Sequence, residues 1–157
     1  MTERYILSVD PGKATGIALL YWSGNDADLP VVEFSVEAQA DEFATYISNY
    51  LKEWEKKPYF AVVCERFVIT AQTVKNSQAP YSLEQIGVLK HLCRTFEYTP
   101  DNIFFQAPVD AKNLFPNEAL KKIGTWHKGG EGHANDAIRH ALLKLTKGGW
   151  KPKVLLD

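Results

Sequence analysis

An α/β fold, a mixed five-stranded sheet with helices on both faces, is predicted by three observations. Three strand-like runs come first, and strand- and helix-patterned segments alternate after them. The first two runs are joined by a turn as tight as Pro11-Gly12, so they pair antiparallel. The run from Tyr59 to Glu65 is almost continuously apolar, as a strand in the buried centre of a sheet must be.

Each element has its own reason. Arg4 to Asp10 is the first strand, ended by Pro11-Gly12, and Gly16 to Trp22 is the second. Gly24 to Asp28 is a polar loop before a third strand, Val31 to Val36. Phe43, Ile47, Tyr50, Leu51 and Trp54 recur at helical spacing from about Asp41 to Trp54, and Pro58 closes that segment. After the fourth strand, Phe67 to Ala79 is a polar connection. Pro80 then suits the first turn of a helix reaching about Phe96, with a stripe of Leu83, Ile86, Leu89, Leu92, Cys93 and Phe96. Ile103 to Gln106 is the fifth strand. Leu114-Phe115-Pro116 splits a pair of short helices, and Lys128 to Gly132 is a glycine hinge. The last helix, His133 to Lys147, turns Ala137, Ile138, Ala141, Leu142 and Leu145 inward and stops at Gly148-Gly149.

Composition narrows the class. At 157 residues, with no repeat or dividing linker, the chain is expected to form one domain with its own core. Cys64 and Cys93 fall on apolar faces and read as buried thiols of a reducing compartment. Neither a signal peptide nor an apolar run near the ~20 residues of a membrane span is seen, so cytoplasm is the expectation and a membrane is not. The net charge of −1 hides an asymmetry. Residues 1–60 carry ten acids and five bases, and residues 101–157 six acids and nine bases. The lysines of that last region fit either a solvated face or a one-sided surface for a polyanion.

Four side chains carry the chemistry. Asp10 and Glu65 end the first and fourth strands, which such a topology makes central neighbours. His133 and Asp136, three residues apart, share one face at the start of the last helix. Oxygen-rich ligands gathered at a sheet edge are what Mg²⁺ requires, two ions per site serving phosphodiester hydrolysis. Each has an ordinary reading as well. Asp10 before Pro-Gly is a turn former, His133 can cap the helix after Gly132, and Asp136 complements its positive end. Glu65 is harder to explain that way, because a carboxylate ending a buried strand needs a partner or a cation.

Asp10-Pro-Gly-(x)₃-Gly16, Glu65 and His133-Ala-Asn-Asp136-Ala, in this order and at these separations, resemble the RuvC-type Holliday-junction resolvases of the RNase H-like superfamily. The likeness spans nearly the whole chain, and the compact length and divergent middle look like the phage-encoded branch. It implies an RNase H-like fold and a homodimeric endonuclease that nicks four-way DNA junctions symmetrically. Asp10 would bridge two ions, with Glu65 and Asp136 completing the sites. His133 would ligate a metal or orient the attacking water. Because Mn²⁺ accepts nitrogen readily, it is expected to serve at least as well as Mg²⁺. Lys112 matches a family lysine that stabilises phosphate charge, and either Lys121 or Lys122 a second.

Junction recognition is expected from the segment after Glu65. Arg66, Thr70, Gln72, Thr73, Lys75 and Asn76 offer donors for phosphates, and Phe67 and Tyr81 are the aromatics on offer where the family has a probing one, neither of them at the family position. The helix from Tyr81 to Phe96, with Gly87 open to close approach, is the expected dimer surface. His127 and His140 read as structural or surface residues, although His140 shares the face of Asp136, one turn on, where it could support the ligands, and Trp126 reads as packing rather than DNA stacking. Two other functions fit parts of the pattern. One is an RNase H-like nuclease of flaps and forks without junction symmetry. The other is the phosphate-binding hairpin of the actin and sugar-kinase superfamily, which needs a second such domain that this length does not hold.

Overall fold

The structure, a computed structural model, describes residues 2–68, 70–72 and 79–157. Five strands form one sheet: β1 Arg4–Asp10, β2 Ala14–Trp22, β3 Val31–Gln39, β4 Phe60–Glu65 and β5 Ile103–Gln106. Their order is β3-β2-β1-β4-β5. β1 pairs antiparallel with β2 and parallel with β4, and Val9 lies opposite Cys64. The expected central pairing is therefore present, and it sets Asp10 and Glu65 side by side one residue beyond that pair.

Two helices, α1 Phe43–Leu51 and α2 Ala79–Thr95, cover one face. Three more, α3 Pro108–Leu114, α4 Asn117–Ile123 and α5 His133–Lys147, cover the other. Strand alternation divides the core between them. Leu7, Val9, Val62 and Cys64 pack with α1 and α2, whereas Ile6 and Val63 pack with α4 and α5. Continuing each strand by steps of two carries Asp10 and Glu65 onto the α5 face. Burial of both faces of β1 and β4 explains their unbroken apolar sequence.

The differences from the expected elements have local causes. β2 starts at Ala14 and β3 runs on to Gln39, because Ala14 and Gly16 pair with Gln39 and Glu37 on an edge strand. Those polar residues gave no hydrophobic signal. The helical pattern to Trp54 ends at Leu51, with a separate turn at Trp54–Lys56 whose indole donates to the Phe96 carbonyl at 2.7 Å. On α2, Leu83 is exposed rather than part of the stripe. The buried positions there are Ser82, Gln85, Leu89 and Cys93. Ser82 Oγ donates to the Pro11 carbonyl at 3.0 Å, which lets a polar residue take the inward position.

α5 crosses β2 so closely that a Cβ on Gly16 would overlap the His133 carbonyl. That is the structural reason for glycine there. No helix among the described residues is long and apolar enough to cross a membrane.

Candidate metal centre

Three of the four expected ligands form one cluster. Single ligand atoms of Asp10, His133 and Asp136 all lie within 4.8 Å of one another. Asp10 comes from the end of β1 and is 7% exposed. Its Oδ2 is 3.1 Å from His133 Nδ1. Burial, together with the nearby Glu65 and Asp136 charges, pushes the Asp10 carboxyl up to about 7, against the pull of His133. The hydrogen bond to Asp10 raises His133 above its ordinary value, although burial opposes it.

Glu65 adjoins the cluster. It shares a hydrogen bond with Asp10, which raises Asp10 and lowers Glu65. Burial alone would raise the Glu65 carboxyl, but His140 holds it below its usual value. The pair thus prefers one proton, carried on Asp10.

His140 supports this site, the role that its position one turn after Asp136 left open, but it acts on Glu65. It is 1% exposed, and its Nε2 lies 3.1 Å from Glu65 Oε2. Gln106, at the end of β5, donates from Nε2 to the His140 carbonyl at 2.8 Å and faces its Nδ1 at 3.3 Å. With Nδ1 accepting from an amide, the proton belongs on Nε2, which donates to Glu65. The helical spacing of His140 one turn after Asp136 was its only trace in the sequence.

Two further residues hold the start of α5. Gly132, at φ 98°, caps the helix without a side chain. Glu37 of β3 replaces that cap from across the sheet. Its Oε1 accepts from the His133 amide at 2.7 Å, and both its oxygens from the Glu131 amide at 2.9 Å. Although its burial acts upward, these amides lower its carboxyl below the usual value. Arg139, 6% exposed, donates from Nη1 to Asp136 Oδ1 at 2.6 Å and from Nε to the Phe115 carbonyl at 2.8 Å. Its Nη2 donates to Asn117 Oδ1. Neither Glu37 nor Arg139 carried a recognisable motif.

The remaining expected residues are placed as follows. Lys112 Nζ is 4.0 Å from Asp136 Oδ2, with an exposed side chain. Lys121 lies over the Trp126 ring, 5.0 Å from its centroid, and pairs with Glu118 at 3.5 Å. Lys122 is exposed. Arg66 is exposed with its amide bound to the Gln106 carbonyl at 2.7 Å, and Phe67 is half-buried. Lys75, Thr73 and Asn76 lie outside the described residues. His127 is structural, its Nδ1 2.7 Å from Ser35 Oγ.

Solved structures with this architecture exist. A structure of T. thermophilus RuvC in complex with a Holliday junction substrate superposes at a TM-score of 0.65, with 15% identity, covering 93% of this chain and 96% of that one. The fold is that of RuvC. A second Thermus thermophilus RuvC structure superposes at 0.64, with 17% identity, over 92% of this chain and 95% of that one. No protein-family model and no curated protein matches the sequence. The RuvC-type mixed sheet, with helices on both faces, is the expected fold class.

The donor set fits a hard or borderline divalent cation: carboxylate oxygens with one imidazole nitrogen. A buried Asp10 held up to about 7 by its neighbours is a group whose ionisation a cation would relieve. A carboxyl raised in the folded protein contributes stability below its unfolded value near 3.8, and that contribution is lost as pH rises through about 7. Protons and cations therefore compete at Asp10. Saturating Mg²⁺ or Mn²⁺, at about a hundredfold over Kd, is expected to raise Tm by roughly 5–10 °C at pH 8. At pH 5 the same addition should give a clearly smaller shift. Thermal melts at the two pH values measure this, and equal shifts, or none at pH 8, would remove Asp10 from the cation's ligands.

Proposed function

We propose that this chain is a divalent-metal-dependent endonuclease that resolves four-way DNA junctions by paired symmetric nicks, acting as a homodimer. The observation that carries it is the convergence of Asp10, Glu65, His133 and Asp136 on the α5 face at the carboxyl ends of the central strands in a RuvC-type fold. A RuvC of the same fold is known bound to a Holliday junction, which supports branched DNA as the substrate class. On this reading Asp10, Glu65, His133 and Asp136 hold the metal, two ions per site, Mg²⁺ or Mn²⁺. Bound there, the metal supplies an activated water and stabilises the departing 3′ oxygen.

The residues of the chain then have separable tasks. Asp10 loses its proton to become a ligand, and Glu65 is already held ionised beside it by His140. Arg139 occupies one oxygen of Asp136 and fixes its carboxylate plane. Lys112, near Asp136 and free to swing, offers charge to the phosphate as it gains negative charge. Lys121, which lies over the Trp126 ring, and Lys122 are both offered to a phosphate, and Arg66, Phe67 and Lys75 to the junction arms. α2 is the surface for a second copy, supported by exposed Leu83 and by the open space around Gly87.

The deciding assay compares cleavage of a mobile four-way junction, a three-way junction and a flap, in Mg²⁺ and in Mn²⁺. Paired nicks at symmetry-related positions of the four-way junction, at least tenfold faster than flap cleavage, are expected. Flap or fork cleavage at equal rate and without pairing would favour a branched-DNA nuclease of the same fold instead.

A further inference from the structure

The metal cluster is continued by a groove of about 590 Å³ running between the α3–α4 junction and the start of α5. Lys112, Asp136 and Arg139 line its end at the cluster, and Asn117, Asn135 and Trp126 line the rest together with the acidic Glu118 and Glu131 at its rim. That volume falls within the roughly 300–1,000 Å³ of organic ligand sites and is far more than an ion needs. Trp126 packs by one side against the core beneath α5 and lines the groove as well.

The backbone that carries this indole is fixed on both sides. The Thr125 amide donates to the Leu120 carbonyl at 2.9 Å. Asn135, 2% exposed, accepts from the His127 amide at 2.9 Å and donates to the His127 carbonyl at 3.0 Å. The His127 ring is tied to Ser35 at 2.7 Å. An aromatic ring on so constrained a turn loses little freedom on binding, which is the condition for a stacking platform. Its present partner is weak: the Lys121 ammonium, 5.0 Å from the ring centroid, on a half-exposed side chain. A base has a whole face to offer and would free Lys121 for a phosphate.

We infer that this groove is a nucleotide subsite, in which the Trp126 ring stacks on a base of the cleaved strand next to the phosphate at the metal cluster. The inference rests on the nuclease reading above. It deepens that reading by giving the strand a contact at the base level that is independent of the metal ligands.

The test uses the full chain carrying Asp10→Asn, so that DNA stays intact, and a four-way junction with 2-aminopurine at each position flanking the mapped cut. Trp126→Leu keeps apolar packing but cannot stack, and Trp126→Phe keeps a ring. Relative to Trp126, the leucine variant should bind the junction roughly tenfold or more weakly, and one 2-aminopurine should lose its binding-induced quenching. The phenylalanine variant should retain most of both signals. Melting curves check that both variants are folded, and the Phe variant carries the test if the Leu variant is not. Trp126→Leu binding within twofold of the parent with unchanged quenching would overturn the subsite alone. A Phe variant as weak as the Leu variant would also overturn it, since packing rather than stacking would then be at stake. If the parent binds no branched DNA, the nuclease reading falls first.

Discussion

Asp10→Asn is expected to abolish junction nicking, by about 10³-fold or more, while making the metal-free protein more stable at pH 8. The two effects have one cause. Asp10 is nine-tenths out of water, its ionised form opposed by burial and by the charges of Glu65 and Asp136. Near neutrality the wild-type fold must either keep a proton there or hold a disfavoured charge. An amide of the same shape needs neither. With the carboxyl displaced from 3.8 to about 7, the relief at pH 8 is of order 2 kcal/mol once its coupling to Glu65 and His133 is allowed for. In Tm that is roughly 4–8 °C for a chain of this size.

The gain should be smaller at pH 5 and vanish only below about pH 3.8, where Asp10 is protonated in the folded and unfolded chain alike, and the stabilisation by divalent cation should be largely lost in the variant. Junction affinity should change little, since phosphate contacts dominate it and weaken steeply with salt. Nicking assays, melts at both pH values and a salt titration of binding together decide it. Normal cutting by Asp10→Asn, or a lower metal-free Tm at pH 8, would show that Asp10 is not the strained centre of the site.

How much of this was visible in the chain follows from where each residue finds its partners. Asp10 and Glu65 were legible because a strand end marks itself: apolar residues stop, and Pro11 or Arg66 follows. His133 and Asp136 were legible because three residues in a helix share a face. The long-range contacts of Glu37, His140 and Arg139 were not. Their partners lie 96, 75 and 24 residues away, at His133, Glu65 and Phe115. Only packing three elements together makes those contacts, and no local pattern encodes them. The same holds for β3, whose polar second half forms a strand because β2 offers it a ladder. Leu83 shows the opposite failure. Its apolar side chain suggested an inward position that Ser82 and Gln85 occupy, their polar ends directed to backbone carbonyls of Pro11 and Ala40.

Arg139→Met is expected to lower stability by about 3–5 kcal/mol, more than any other single change outside the apolar core. The guanidinium is 6% exposed and reaches three acceptors that belong to different elements: the Phe115 carbonyl ending α3, Asn117 opening α4, and Asp136 on α5. Removing it leaves the Asp136 carboxylate one close partner poorer, beside Asp10 and Glu65, with Lys112 at 4.0 Å as a weak, exposed substitute. Arg139→Lys should recover little, because one ammonium cannot span three acceptors that a planar fork meets together. The double variant Arg139→Met, Asp136→Asn separates charge from packing. If stranded carboxylate charge is the main loss, the double variant should be more stable than Arg139→Met, with a coupling of about 1–3 kcal/mol. Saturating divalent cation should restore Arg139→Met in part, since it neutralises the same carboxylate, but should do nothing for the double variant. Denaturant titrations of the four proteins of this cycle, with and without Mn²⁺, measure each difference. A single variant melting within about 2 °C of wild type would mean that Asp136 is held by the helix alone, and Arg139 would lose its place in the site.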